Sequence, residues 1–132
     1  MIPVLIGSHV SISGGLIAAA KEAVSYGANT FMIYTGGTKN SRRYGFENFA
    51  DKLKIDEGKE FMKQNGISDI VVHAPYILNL ASPKDDNFEF SANFLKDELK
   101  RADMLGAKWV VVHPGAFTTS SAEEGISEYK LH

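Results

Sequence analysis

The chain has 132 residues, of which 44% are hydrophobic and 23% charged, a composition typical of a globular protein with one modest core. It contains no cysteine, which excludes disulfides, thiolate metal sites and cysteine nucleophiles and indicates a reducing, cytoplasmic environment. The formal net charge of −2 excludes nucleic-acid binding that depends on overall positive charge, so such binding requires a local basic cluster. From its length we expect one domain over residues 1–132. The apolar residues 1–6 are far too few to span a bilayer, so we expect no membrane partner.

The first elements predicted form one β-α-β unit. Residues 4–10 are mostly apolar or β-branched, as in a strand buried on both faces of a parallel sheet, and His9 lies at its end. A helix is predicted over residues 16–26, where Gly27 stops it. A second strand follows over residues 29–34.

A long segment, residues 35–54, separates the second strand from the next helix. It contains a basic cluster and three aromatic residues, namely Lys39, Arg42, Arg43, Tyr44, Phe46 and Phe49. Loops of this length in compact α/β units are more often functional than connective. Because guanidinium groups pair bidentately with phosphate oxygens, residues 38–44 are a candidate phosphate-binding segment. The alternative is a solvated loop with scattered charge.

The remaining sequence continues the alternation of helices and strands. A short helix over residues 56–65 precedes a third strand that ends at His73. The longest helix, residues 88–105, is predicted from apolar residues at three- and four-residue spacing, namely Phe88, Ala92, Leu95, Leu99, Ala102 and Leu105. A fourth strand ends at His113, and the capping-box pattern of residues 121–124 starts one more helix.

Two features repeat at the same interval. The helix-ending glycines, Gly27, Gly66 and Gly106, are 39 and 40 residues apart. The strand-end residues, Tyr34, His73 and His113, have the same spacings. Repeated β/α units build an open doubly wound sheet or a closed eight-stranded barrel, and in both the ligand site lies at the C-terminal ends of the strands. We therefore expect His73 and His113 on neighbouring parallel strands at one rim of the sheet.

The strand-end histidines are candidate metal ligands. Neutral imidazole binds zinc well, and rigid strands would hold His73 and His113 in place for a shared ion. Zinc takes three or four protein groups, so the pair makes only part of a site, and the alternative is that each ring is hydrogen-bonded to backbone. We interpret His9 as a packing residue under the rim and His132 as inert. Tyr76 either stacks on a base or deoxyribose or packs the mouth of the barrel.

Several segments follow one another in unbroken order, namely residues 7–11 (GSHVS), 31–36 (FMIYTG) with 40–43 (NSRR), 73–80 (HAPYILNL) and 112–115 (VHPG). Together they resemble endonuclease IV, the zinc-dependent apurinic/apyrimidinic endonuclease family. The resemblance implies a TIM (β/α)8 barrel with three zinc ions at the C-terminal ends of its strands. Since such a barrel takes roughly 250 residues, we expect this chain to cover about the first four β/α units, a half barrel.

The resemblance also assigns roles to single residues. His73 and His113 match zinc ligands of the family. Arg42 and Asn40 are implied to contact double-stranded DNA near the flipped-out abasic nucleotide, and Tyr76 to fill or distort the duplex there. The implied reaction is zinc-dependent hydrolysis of the phosphodiester 5′ to an abasic site, a DNA repair step. Because the other family ligands come from later strands, we expect at most a partial zinc site, no further catalytic residue and no activity of this chain alone.

Two other functions stay open on the sequence. A sugar isomerase or epimerase shares the barrel and uses divalent metals at the same rim, although Arg42 and the long 35–54 segment favour DNA over a small sugar. A non-catalytic half barrel would leave its first and fourth strands as open edges, which promote association. Two copies would supply eight strands, so that reading predicts a homodimer or a domain-swapped assembly.

Overall fold

The computed structural model describes residues 4–115, in which four strands alternate with helices. The elements are β1 (Gly7–His9), α1 (Leu16–Ser25), β2 (Thr30–Ile33), α2 (Phe46–Lys52), α3 (Ile55–Gln64), β3 (Val71–His73), α4 (Asp85–Leu105) and β4 (Trp109–Val111). The helix predicted from residue 121 and the terminal His132 lie outside the described residues. None of the helices within residues 4–115 is long and apolar enough to cross a membrane.

The strands form one parallel sheet in the order β1-β2-β3-β4. Each strand lies beside the one before it, whereas a doubly wound sheet reverses its strand order at a switch point. The sequential order is that of a barrel. It confirms the prediction of a half TIM barrel, of which residues 4–115 form three β/α units and the fourth strand.

The sheet has one covered and one open face. Residues paired across parallel strands point to the same side, and the open face carries the pairs Gly7 and Thr30, His9 and Met32, Val71 and Trp109, and His73 and Val111. On the opposite face Phe31 and Val72 are buried beneath helices. Trp109 is 60% exposed, because no described residues form a layer over the open face. In a closed barrel, side chains on this face fill the interior.

Strand β1 differs from its prediction. It was expected to be buried on both faces, but all three of its residues are exposed. The reason is its place at the edge of the sheet, where no described strand lies beyond it and the open face is uncovered. Burial begins only after the strand, at Val10.

Close packing of α1 on α3 supports the covered side of the sheet. A Cβ atom at Gly58 would lie 2.6 Å from Cγ of the fully buried Leu16, so only glycine permits this approach. The fully buried apolar residues of this core are Leu16, Ala19, Ala20, Ala23, Ile33, Phe49, Ile70, Val72 and Leu105.

The long segment after β2 is partly helical rather than a loop throughout. Residues 35–45 form a loop, which we call the basic loop, and α2 follows directly. Phe49 of α2 is fully buried and belongs to the core. The candidate phosphate-binding residues are therefore confined to a shorter loop than the sequence suggested.

Helix α4 buries a different face from the one predicted. Phe88, Ala102 and Leu105 are buried as expected, but Leu99 is 50% exposed. Ala92 and Leu95 are only partly buried. The buried face continues instead through Ser91, Phe94, Glu98 and Arg101. The prediction failed because polar residues occupy this face and interrupt its apolar pattern, so α4 brings charged groups into the interior.

Candidate functional site

Five aromatic side chains meet at the C-terminal ends of the strands. This ring cluster consists of His9, Tyr34, His73, Tyr76 and His113. The ring of Tyr34 has its centre 4.9 Å from those of His9 and His73, and the His73 and His113 ring centres are 5.0 Å apart. Tyr76 lies 5.4 Å from both His73 and His113. The predicted convergence of strand ends on one rim is therefore present.

The imidazoles of His73 and His113 face each other. Their Nε2 atoms are 3.2 Å apart. Nδ1 of His73 lies 2.6 Å from the carbonyl oxygen of Ala74, which accepts hydrogen bonds only, so Nδ1–H is the donor. In the neutral ring the Nε2 atom of His73 then carries a lone pair directed at His113. A backbone carbonyl that fixes the tautomer in this way is the usual support of a metal-binding histidine.

The separation of the two Nε2 atoms fits a shared metal ion. Two nitrogen ligands at about 2.1 Å from a tetrahedral zinc are about 3.4 Å apart, close to the distance between these atoms. His73 is only 6% exposed, which limits its motion, whereas His113 is open to solvent. Within residues 4–115 no third histidine, cysteine, aspartate or glutamate joins them in a group suited to a metal. The described residues thus offer two nitrogen donors here, fewer than the three or four groups that zinc requires.

The loops after β3 and β4 are locked together beside this pair. The backbone N–H of Leu80 donates to the carbonyl of Pro114 at 3.1 Å. Gly115 has a φ of 107°, and a Cβ there would lie 2.9 Å from Cα of Asn79. The close approach requires glycine. It holds the loop of Tyr76 against the strand end that carries His113.

Tyr34 is a member of the site that the sequence reasoning noted only as a strand end. Tyr34 is buried. Burial, and to a smaller extent a hydrogen bond with Tyr76, raises the pKa of Tyr34 to about 12, so its phenol is neutral at pH 7. Its position 39 residues before His73 was the signal of its place on the rim. Tyr76 is 55% exposed beside it and is free to contact a ligand from solvent.

The predicted DNA-binding residues lie on two adjoining loops. Asn40 and Arg42 are exposed on the basic loop. The backbone N–H of Arg42 donates to Oδ1 of Asn40 at 3.0 Å. The N–H of Tyr76 donates to the carbonyl of Thr38 at 3.0 Å and ties the two loops together. These bonds place all three residues on the side of the sheet that carries the ring cluster.

A cavity of about 820 Å³ opens between the basic loop and the loop after β1. Its wall includes Arg42 and Tyr44 on one side and His9 and Tyr34 of the ring cluster on the other. Asn40, Tyr76 and the His73–His113 pair do not line it. Tyr34 is the contact between the cavity and the histidine pair, because its ring packs against His73.

Arg43 does not take the role expected of the basic cluster. Its side chain is 1% exposed and pairs with Glu98 of α4, so it is unavailable to a phosphate in solution. Burial lowers the pKa of Arg43 from its ordinary value. Sequence reasoning missed Glu98 altogether, and the one available signal was its three-residue spacing from Arg101 on a helix whose other face is solvated.

Comparison with known proteins places these features in a family. Residues 20–130 match the family described as xylose isomerase-like TIM barrel. The chain is 54% identical over 126 residues to a probable endonuclease 4 of Oceanobacillus iheyensis, and 50% identical over 126 residues to the protein of that description in Bacillus subtilis. In both cases the match covers 93% of this chain and 41% of the relative. The chain thus spans about two fifths of the length of these curated relatives.

Solved structures also match this chain over slightly less than half of their own length. Endonuclease IV from Thermus thermophilus superposes with a TM-score of 0.73 at 26% identity, over 94% of this chain and 46% of that one. A D-tagatose 3-epimerase-like protein superposes with a TM-score of 0.63 at 22% identity, over 94% of this chain and 45% of the other. The second likeness concerns the fold alone.

Proposed function

This chain belongs to the xylose isomerase-like TIM barrel family, and we propose that it is part of a DNA repair endonuclease that hydrolyses the phosphodiester on the 5′ side of abasic sites. Supporting observations are the relatives described as probable endonuclease 4 and the half barrel of four parallel strands with a histidine pair at its rim. We place the protein in the cytoplasm, in keeping with its lack of cysteine.

The histidine pair carries the proposal for zinc. His73 and His113 would hold one ion between their Nε2 atoms, which are 3.2 Å apart, with the Ala74 carbonyl fixing the His73 tautomer. When bound, zinc supplies Lewis-acid stabilisation of a phosphate and an activated hydroxide. Since the described residues give two donors, this chain holds at most part of the three-ion centre expected for the complete barrel, and we propose that it does not hydrolyse DNA by itself.

The proposal for DNA rests on the exposed groups around this pair. Arg42 offers a guanidinium suited to phosphate, Asn40 lies beside it, and the exposed ring of Tyr76 is placed to pack against a sugar or base. An abasic nucleotide is the one that leaves the stack at least cost, because it has no base to unpair. The proposed place for a nucleotide turned out of the duplex is the cavity lined by Arg42 and Tyr34, which adjoins the histidine pair through the Tyr34 ring.

Zinc titration by calorimetry tests the central part of this proposal. The tag-free chain should bind zinc weakly, and the His73→Ala, His113→Ala double variant should lose that binding. His9→Ala is the matched control, because it removes an imidazole from the same ring cluster without touching the pair; its zinc affinity should equal that of the parent chain. Binding that is equal in the parent and the double variant would refute the assignment of these ligands.

A sugar isomerase or epimerase is the other candidate and rests on the shared barrel fold alone. At 22% identity, the likeness to the epimerase-like structure concerns the fold and says nothing about the substrate. The exposed Arg42 on the basic loop is suited to phosphate. Assays of the complete barrel on an abasic duplex and on a ketose would separate the two. Nicking of the duplex supports the nuclease, and ketose epimerisation without nicking supports the alternative.

We also propose that this chain associates through its sheet edges. β1 and β4 are the edges of the described sheet, and the exposed apolar residues near them include Val4, Ile6, Trp109 and Val111. Unpaired strand edges and exposed apolar surface favour association. A second copy would supply four more parallel strands. Light scattering at micromolar concentration should give the mass of a dimer, and a monomeric mass would contradict this part of the proposal.

A further inference from the structure

A buried ionic cluster lies beneath the basic loop and joins it to α4. It consists of Thr35, Arg43, Glu98 and Arg101, and we call it the Glu98 cluster. Glu98 is fully buried, and the hydroxyl of Thr35 lies 2.7 Å from each of its carboxylate oxygens. Nε of Arg43 is 3.4 Å from Oε1 of Glu98, and Nη1 of Arg101 is 3.1 Å from the same atom. One carboxylate thus serves two guanidinium groups.

The Arg43 guanidinium forms the interior of the basic loop. Nη2–H donates to the carbonyl of Gly37 at 3.0 Å. Nη1–H donates to the carbonyls of Asn40 and Arg42, at 3.2 and 2.7 Å. At Gly36 a Cβ would lie 2.7 Å from Nη1, so the loop closes tightly around this group. The backbone of Asn40 and Arg42 is therefore held by hydrogen bonds to the Arg43 guanidinium. Asn40 and Arg42 themselves are exposed to solvent.

Glu98 is the group that keeps Arg43 in this position. A buried cation is costly unless it is paired, and within residues 4–115 Glu98 is the acidic partner of both arginines. The aromatic rings beside them are weaker substitutes, with Phe94 5.3 Å from Arg43 and Phe46 4.9 Å from Arg101. Without Glu98, two like charges would face each other in the interior, and Arg43 would leave the loop for solvent.

We propose that Glu98 is a positioning residue for DNA binding, acting through Arg43 to hold residues 37–42 in the conformation that presents Asn40 and Arg42. This inference rests on the proposed function of the basic loop. Binding that uses a preformed loop avoids the cost of ordering it, so loss of Glu98 lowers affinity without removing any group that touches DNA.

The test compares Glu98→Gln with Glu89→Gln, which removes an equal charge from an exposed position on the same helix. The first measurement is amide hydrogen exchange of residues 37–42 in the free protein. The second is the affinity for a fluorescent duplex that contains a tetrahydrofuran abasic analogue, measured at fixed salt. Glu98→Gln should speed exchange of these amides and weaken DNA binding, each on the order of tenfold, while Glu89→Gln changes neither.

A double-mutant cycle with Arg42→Ala separates positioning from stability. If Glu98 acts through the loop, Arg42→Ala lowers affinity in the parent chain and has little further effect in Glu98→Gln. If circular dichroism shows that Glu98→Gln is unfolded, Arg43→Lys replaces it in every measurement. Lysine keeps the charge opposite Glu98 but lacks the fork that reaches three carbonyls, so the same losses are expected.

The outcomes distinguish this inference from the proposed function. If Arg42→Ala leaves the affinity of the parent chain unchanged, the DNA-binding role of the loop fails, and the inference fails with it. If Arg42→Ala weakens binding but its effect is equally large in Glu98→Gln, the proposed function stands and positioning by Glu98 is overturned. Unchanged exchange of residues 37–42 in a folded Glu98→Gln or Arg43→Lys variant also overturns it.

Discussion

The ring cluster and the Glu98 cluster lie on either side of the basic loop and use polar groups in opposite ways. In the Glu98 cluster both oxygens of the carboxylate are engaged by buried partners, and its one negative charge is shared by two guanidinium groups. In the ring cluster the His73 lone pair faces a second imidazole at 3.2 Å, and His113 is open to solvent. A buried, ion-paired set of polar groups is suited to support, and a pair of imidazoles that meet at a solvent-facing rim is suited to a ligand.

The comparison predicts the largest loss of stability at Glu98. Glu98→Ala removes the counter-charge that makes the burial of Arg43 and Arg101 tolerable, so we expect the free energy of unfolding to fall by about 3–5 kcal/mol. Urea denaturation followed by circular dichroism measures this loss. Glu89→Ala, on the exposed side of the same helix, should stay within about 0.5 kcal/mol of the parent. Similar values for the two variants would show that the Glu98 cluster is not a support.

A smaller loss of stability is expected at Thr35, whose hydroxyl links Glu98 to Arg43. Its hydroxyl donates to Glu98 and accepts the Nε–H of Arg43 at 2.5 Å. Thr35→Val keeps the shape but removes both bonds, so stability should fall by about 1–3 kcal/mol. Thr38→Val changes an exposed threonine of the same loop and should cost little. Denaturation midpoints compare the two, and an unchanged midpoint for Thr35→Val would contradict the role of the hydroxyl.

The smallest loss of stability is predicted in the ring cluster. His113→Ala removes an exposed ring and should change the free energy of unfolding by less than about 0.5 kcal/mol in metal-free buffer. The difference from the parent should appear only with zinc, because an ion that binds the native state alone raises the melting temperature. Differential scanning calorimetry with and without zinc tests this. A zinc-dependent rise that persists in His113→Ala would break the contrast between the two clusters.

The alternation of strands and helices was predictable because it depends on local signals. Gly66 and Gly106 both adopt positive φ after their helices, as the repeat required. The convergence of His73 and His113 followed from the same repeat, since β3 and β4 lie side by side. The Cα partner of His73 is Val111, so His113 lies two residues further along and on the same face of the sheet. Their metal-binding role stays a prediction.

What the sequence could not reveal depends on long-range pairing. Leu99 satisfied the apolar spacing of α4 yet is exposed, whereas Glu98 beside it is buried. The one local signal is the three-residue spacing of Glu98 from Arg101, and the second partner that makes burial of Glu98 tolerable, Arg43, lies 55 residues earlier. Arg43 was in turn grouped with Arg42, in a segment predicted either to bind phosphate or to be a solvated loop. Only the fold separates the arginine that supports the loop from the one that it presents.

X-ray absorption at the zinc edge would show directly whether His73 and His113 bind zinc. The zinc-loaded, tag-free chain should show scattering from two imidazole rings with nitrogen at about 2.0–2.1 Å. In the His73→Ala, His113→Ala variant that contribution should disappear, while His9→Ala should keep it. A spectrum with no imidazole scattering, or one that is identical in the parent and the double variant, would show that His73 and His113 are not zinc ligands.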